Sequence, residues 1–175
     1  LVGTAGAAVA LAKELHEHRV ELGVEIVGFV DPDPTRVGAP ILNGLRVVGK
    51  DMDKVKLVCS GAGAAALACL DLLVSLGIKR ENIYVSDIEG VVYAGRTKLM
   101  DEQKAKYAQK TDARTLAEIL PGADIFLGLS AGKVLKPEWL PSMAASPLIL
   151  ALANPEPEIM PDVAKAARPD AVIAT

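Results

Sequence analysis

Aromatic side chains are scarce, at 3% of 175 residues, although 51% of the chain is hydrophobic. Ala, Val, Leu and Gly must therefore carry the core, as suits helices packed on a parallel sheet. Cysteine is rare too. Cys59 and Cys69 fall in an expected strand and an expected helix, both buried, which makes them reduced core thiols rather than a disulfide or a metal pair. The two histidines, His16 and His18, lie two apart on an expected helix, point different ways and read as solvated. There is no basic excess: 19 Lys and Arg stand against 22 Asp and Glu, for a net charge of -3 with the signs interspersed. That excludes a nucleic-acid surface. No signal peptide is visible. Residues 61–78 are long and apolar enough to imitate a membrane span. Asp71 in their middle and glycines at their start make them a buried helix instead. An initiating methionine is also missing, and both ends fall inside expected strands, so the chain is expected to be a piece of something longer.

What is present is organised around Val55 to Asp87. Val55-Lys-Leu-Val-Cys-Ser60 reads as a strand, Gly61-Ala62-Gly63-Ala64-Ala65-Ala66 as a turn, the following apolar run as a helix, and Asn82-Ile-Tyr-Val-Ser-Asp87 as a second strand ending in an acid. The pattern G-x-G-x-x-A in that setting is a dinucleotide-binding fingerprint. Gly61 permits the tight turn. Gly63 lets a pyrophosphate approach the backbone, and Ala66 lets the helix pack close to the strand. The helix N-terminus offers unpaired N–H groups and partial positive charge to the phosphates. Asp87 lies where an acid accepts a hydrogen bond from a ribose hydroxyl. With Glu89 it would repel a 2′-phosphate, which favours NAD over NADP; Arg96 and Lys98 are the nearest cations downstream that a folded-back loop could bring against them.

Residues 1–49 repeat the scheme more poorly. Gly3-Thr-Ala-Gly6 is a glycine turn, residues 7–18 a helix, residues 24–30 a strand, and Asp31-Pro-Asp-Pro34 a breaker. Residues 45–48 are ambiguous between a short strand and a helix end. After Asp87, residues 91–95 read as extended, Met100 to Lys110 as a charged helix with a solvated face, and Thr115 to Leu120 as a short helix closed by Pro121-Gly122. Asp124 to Leu127 is a strand leading into Gly128-Leu-Ser-Ala-Gly132. Pro137 to Ala144 is a helix with proline in its first turn. Pro147 to Leu152 is a strand leading into Ala153-Asn154-Pro155, and a short helix and a last strand follow Pro161. This alternation predicts an α/β fold: a doubly wound parallel sheet in a Rossmann-like three-layer αβα arrangement. It forms one domain over 1–175, subdivided into a partial βαβ unit at 1–40 and a dinucleotide-binding unit at 41–175.

Residues 41–175 resemble the nucleotide-binding domain of bacterial malic enzymes. The phrases that carry the resemblance are Leu42-Asn-Gly-Leu-Arg-Val-Val-Gly-Lys50, Gly61-Ala-Gly-Ala-Ala-Ala66, Gly95-Arg96 with Leu99-Met-Asp101, Ala113-Arg-Thr-Leu-Ala-Glu118, Gly122-Ala-Asp-Ile-Phe-Leu-Gly-Leu-Ser-Ala131 and Leu150-Ala-Leu-Ala-Asn-Pro155. The resemblance implies an oxidoreductase that takes NAD or NADP and a divalent metal, oxidises malate and decarboxylates it to pyruvate. It implies a homo-oligomer when full length and a cytoplasmic location, without nucleic-acid or membrane partners. It places the pyrophosphate at Gly61, Gly63, Ala64, Ala65 and Ala66, the adenosine ribose at Asp87, the cofactor groove at Ser130 and Ala131, and the nicotinamide and substrate end at Asn154. The plainer alternatives are a turn residue before proline for Asn154 and a helix cap for Ser130.

The departures from the family are specific. Its catalytic tyrosine, catalytic lysine and acidic metal site lie upstream of this domain, so Mg²⁺ or Mn²⁺ is expected only in the complete enzyme and no catalytic or metal residue is assigned here. Tyr84 lies in a strand, Tyr93 and Tyr107 lie in polar surroundings, and Asp87, Glu156 and Glu158 do not cluster. The chain alone is expected not to turn over malate. Lys133 stands where a glycine or another small residue is expected. Residues 1–49 resemble the nucleotide-binding part of nucleotide-sugar dehydratases and the cofactor domain of redox-sensing repressors, through Val27-Gly-Phe-Val-Asp-Pro-Asp-Pro34, Val37-Gly38 and residues 43–49. That suggests a join near 39–44, natural or engineered, and a weak or empty nucleotide site in the first unit. Two other functions stay open: a module that senses NAD(H) without chemistry, and the nucleotide-binding part of a sugar-modifying enzyme.

Overall fold

A computed structural model describes Leu45 and residues 48–175. Among the described residues six strands form one sheet: β1 (Leu57–Ser60), β2 (Ile83–Asp87), β3 (Gly90–Val91), β4 (Ile125–Gly128), β5 (Leu148–Ala151) and β6 (Val172–Ala174). Their order is β3-β2-β1-β4-β5-β6. All neighbours are parallel except β3, which runs antiparallel to β2 at the edge. β1 is central, with Leu57 opposite Ile83 on one side and Ile125 on the other. Every residue of β1, β4 and β5 is buried. Strands covered on both faces read as continuous apolar runs, which is why they were legible.

Alternate residues then choose a face. Leu57 and Cys59 join Leu67, Leu70 and Leu73 of helix α1 (Ala64–Ser75) in one cluster. Val58, Phe126 and Ile149 join the opposite cluster. There they meet Ile119 of helix α3 (Leu116–Ile119) and Ala164 of helix α4 (Pro161–Ala167). Helix α1 ends because Gly77 takes φ +116°, and the amide of Ile78 reaches back to the carbonyl of Leu73 at 3.1 Å. This is a glycine stop, sealed by the buried contact of Ile78 with Leu73. Helix α3 starts at a capping box formed by Thr115 and Glu118. The result is the doubly wound, Rossmann-like α/β fold expected.

Three local expectations fail. The charged helix of residues 100–110 shrinks to α2 (Glu102–Ala105), capped by the Asp101 carboxylate at 2.8 Å from the Lys104 amide. The chain turns there to bury Lys104 and Tyr107. Tyr107, expected in polar surroundings, is fully buried and donates its hydroxyl to Asp71 at 2.6 Å. Burial, then Asp71, pushes its phenol well up. Residues 137–142 form a 3₁₀ rather than an α-helix, since Pro141 inside it has no N–H to give. Cys59 is buried and Cys69 half-buried, and both are free thiols. Leu45 is helical, which decides the ambiguity at that residue. The partial βαβ unit expected over residues 1–40, with its glycine turn and Asp31, lies outside the described residues. No helix among the described residues is long and apolar enough to cross a membrane.

Candidate functional site

From β1 the chain winds to β2 and β3 on one side, then crosses to β4, β5 and β6 on the other. The carboxyl ends of β1 and β4 therefore border a crevice at the switch in winding, where open α/β sheets hold ligands. Backbone bonds pin its rim: the Gly61 amide donates to Ser86 at 2.8 Å, and the Leu129 amide to Ser60 at 2.8 Å. Gly61 has φ +114°, and a Cβ there would fall 2.4 Å from the Leu129 carbonyl oxygen. Glycine is required at this position by backbone conformation and by space. Gly63 differs. Its backbone is extended, and a Cβ would meet nothing within 4 Å. The room in front of it faces outward, where Gly63, Ala64 and Ala65 are exposed. Gly63 caps α1 without any side-chain hydrogen bond, and the first turn holds no acid. The leading N–H groups of this twelve-residue helix thus have no side-chain cap among the described residues, the setting in which helix N-termini can take an anion. Ala66 is buried against the sheet.

Asp87 closes β2, but its carboxylate is already engaged. Arg96 spans both oxygens at 2.7 Å, Lys104 reaches Oδ2 at 2.8 Å, and the Glu89 amide donates to Oδ1 at 2.9 Å. A carboxylate has about four acceptor sites, so all are filled. Burial raises the carboxyl, while the bonds from Arg96, Lys104 and the Glu89 amide outweigh it and hold Asp87 below the ordinary aspartate value. Lys104, read as solvated, is a correction: its ammonium is divided between Asp87 and the Leu99 carbonyl at 2.7 Å. Lys98 pairs with Glu89 at 2.7 Å instead. The loop does fold a cation back on Asp87, and it brings two.

On the other half, Ser130 follows β4. No helix begins there, so it is not a helix cap. Its hydroxyl lies 2.8 Å from that of Ser60 and 3.2 Å from Glu158. Glu158 was missed as a partner. It is fully buried, accepts from the Ser130 amide at 2.9 Å, and through its other oxygen accepts from the Ala153 amide at 3.0 Å. Gly128 makes room for it, since a Cβ there would lie 2.3 Å from the carboxyl carbon. The one hint in sequence is an acid between Pro157 and Ile159 just past a strand. Asn154 stands exposed on the loop after β5. Lys133 has φ +65°, a left-handed position that explains why glycine was expected, and it pairs with Glu156 at 2.8 Å.

A groove of about 740 Å³ runs along these strand ends. Of the residues singled out in the sequence, Gly61, Asp87, Ser130 and Ala131 line it, whereas Gly63, Ala64, Ala65, Ala66 and Asn154 do not. The unforeseen walls include Ile88, Leu116, Val134 and Trp139.

Comparison with known proteins agrees with this architecture. The profile of the malic enzyme NAD-binding domain matches residues 36–175. An NAD-dependent malic enzyme of Rhizobium meliloti is 67% identical over 162 residues, covering 91% of this chain and 21% of the relative. An NADP-dependent malic enzyme of Escherichia coli is 58% identical over 138 residues, covering 78% of this chain and 18% of the relative. The crystal structure of an NAD-dependent malic enzyme from Thermotoga maritima superimposes with a TM-score of 0.70 at 35% identity, over 77% of this chain and 36% of that one. The chain thus spans about a fifth of the curated relatives' length. Residues 41–175 are 135 of 175, about 77%, so a match covering 91% of the chain includes residues before 41. The resemblance of the first unit to nucleotide-sugar dehydratases, and with it a join near 39–44, finds no support.

Proposed function

The chain belongs to the malic enzymes, through their NAD-binding domain, and from that premise we propose that it holds the dinucleotide of an enzyme that oxidises malate and decarboxylates it to pyruvate. The observation that carries the reading is the pairing of Gly61, shaped to the turn, with Gly63, open to a ligand, before an uncapped helix. The amides of Ala64 to Ala66 would receive the pyrophosphate. Asp87, Arg96 and Lys104 would receive the adenosine ribose. Ser130, Ala131 and Asn154 would line the nicotinamide end. A bound dinucleotide would supply the hydride acceptor for oxidation at the carbon bearing the malate hydroxyl, and the residues named here would bind and orient it. No group of three or more metal-ligating side chains converges among the described residues, so no step is assigned to Mg²⁺ or Mn²⁺ on them.

Trp139 is the chain's single tryptophan and lines the groove. Titration with NADH should quench its emission and excite the reduced nicotinamide by energy transfer. The absence of both quenching and binding heat in a calorimeter would sink the reading.

Cofactor choice follows from the Asp87 cluster. Its filled acceptor sites leave little for a ribose hydroxyl, and two buried cations offset one carboxylate, so the repulsion of a 2′-phosphate is weaker than the sequence alone suggested. NAD and NADP should therefore bind within about tenfold of one another. Lys104→Ala should weaken NADP by about tenfold, within the range of a charge-assisted hydrogen bond. It should leave NAD within about twofold. Paired titrations decide this, and equal losses for both would contradict it.

A further inference from the structure

Glu158 has no part in the fingerprint, yet it is a fully buried acid at the functional end of the sheet. Its contacts are two backbone amides, from Ser130 and Ala153, and the Ser130 hydroxyl, at 2.9, 3.0 and 3.2 Å. All three donate to its oxygens, the arrangement a carboxylate calls for. Among the described residues no lysine or arginine pairs with it, whereas the other buried acid-base cluster, at Asp87, holds two. A buried charge that lacks a counter-ion acts over a longer range than an exposed pair, since neither water nor salt screens it. Its position is also particular. The amides it fixes belong to the loops after β4 and β5, the half of the sheet away from Asp87. A dinucleotide lying across the switch point with its adenosine at β2 must end there.

We propose that Glu158 is a positioning residue that fixes the loops after β4 and β5 and, by a charge that no lysine or arginine among the described residues compensates, favours the oxidised cofactor over the reduced one. The proposal rests on the cofactor reading above. The nicotinamide ring is cationic when oxidised and neutral when reduced. A fixed negative charge behind the groove stabilises the first and leaves the second nearly unaffected. For a reaction that starts from the oxidised form and must release the reduced one, this bias helps both substrate capture and product release. Gly128 belongs to the same device, because any Cβ at that position would collide with the carboxylate.

The test is titration of the full chain and its Glu158→Gln variant with NAD⁺ and NADH, with far-UV circular dichroism and melting as checks on folding. Gln keeps the shape and removes the charge. Because its NH2 cannot accept from one of the two backbone amides, a loss common to NAD⁺ and NADH reads the bracing, while a change in their ratio reads the charge. The Kd for NAD⁺ should rise about fivefold, while that for NADH changes by less than about twofold, as expected for one unit charge acting through partly screened protein. Equal weakening of both forms would mean that Glu158 only braces the loops and would overturn the proposal. If Glu158→Gln does not fold, Ser130→Ala decides: it keeps the charge and removes one donor that neutralises it, so the preference for NAD⁺ should hold or grow, and a shift toward parity would overturn the proposal. Binding of neither form by the unaltered chain would overturn the cofactor reading and this proposal with it, an outcome distinct from a ratio that fails to move.

Discussion

Gly61→Ala should lower the stability of the chain by about 2–6 kcal/mol, because two separate penalties fall on one methyl group. The first is conformational. At φ +114° the backbone occupies a region that L side chains rarely adopt, and forcing one there costs about 1–3 kcal/mol. The second is steric. The new Cβ would sit 2.4 Å from the Leu129 carbonyl oxygen and 2.9 Å from its carbon, and overpacking costs about 1–3 kcal/mol when neighbours must shift. Neither neighbour yields cheaply, since both are backbone atoms. The Leu129 amide is tied to Ser60 at 2.8 Å and the Gly61 amide to Ser86 at 2.8 Å. Relief therefore means separating β1 from β2 or β4 at the middle of the sheet. Set against a typical total of about 5–15 kcal/mol, this loss would bring the domain close to unfolding. Urea denaturation followed by circular dichroism measures it. A midpoint unchanged within error would show that the turn relaxes freely and that the fingerprint's first glycine is dispensable to the fold.

How much of this was legible in sequence depends on whether a feature is local. Leu57–Ser60, Ile125–Gly128 and Leu148–Ala151 are apolar runs because both their faces are covered, and a run of that kind identifies itself. The turn at Gly61 to Ala66 was equally plain, since each small residue answers a need within a few positions. Lys104, Tyr107 and Glu158 were not legible. Each lies in a stretch that looks solvated, and each finds its partner far along the chain: Lys104 with Asp87, Tyr107 with Asp71, and Glu158 with Ser130. Only tertiary structure brings such pairs together, and it overrides the local preference for an exposed helix. Arg96 was legible as a cation that a loop could fold back on Asp87, but Lys104 was not, because no periodicity describes the path that returns it there. Ser130 lines the groove at the strand ends, and its hydroxyl serves Ser60 and Glu158 rather than a helix end.

Gly63→Val should have the opposite profile to the Gly61 variant: an intact fold and lost binding. The position is extended, at φ -80° and ψ 177°, which a β-branched residue adopts readily. A Cβ there meets nothing within 4 Å, and the residue caps α1 rather than lying within it, so the helix interior is untouched. Stability should change by less than about 1 kcal/mol. The branched side chain instead fills the space in front of the α1 amides, where a pyrophosphate must come within hydrogen-bond distance. Losing two charge-assisted hydrogen bonds of about 1.5–3 kcal/mol each should weaken NAD by at least a hundredfold. The same factor should apply to NADP and to the reduced forms, because all share the pyrophosphate. That uniform loss separates Gly63 from Lys104, whose replacement acts on the 2′-phosphate, and from Glu158, whose neutralisation acts on the nicotinamide charge. Calorimetric titration of the folded variant with NAD is the measurement. Retained affinity would place the ligand elsewhere along the groove and remove the α1 N-terminus from the binding site.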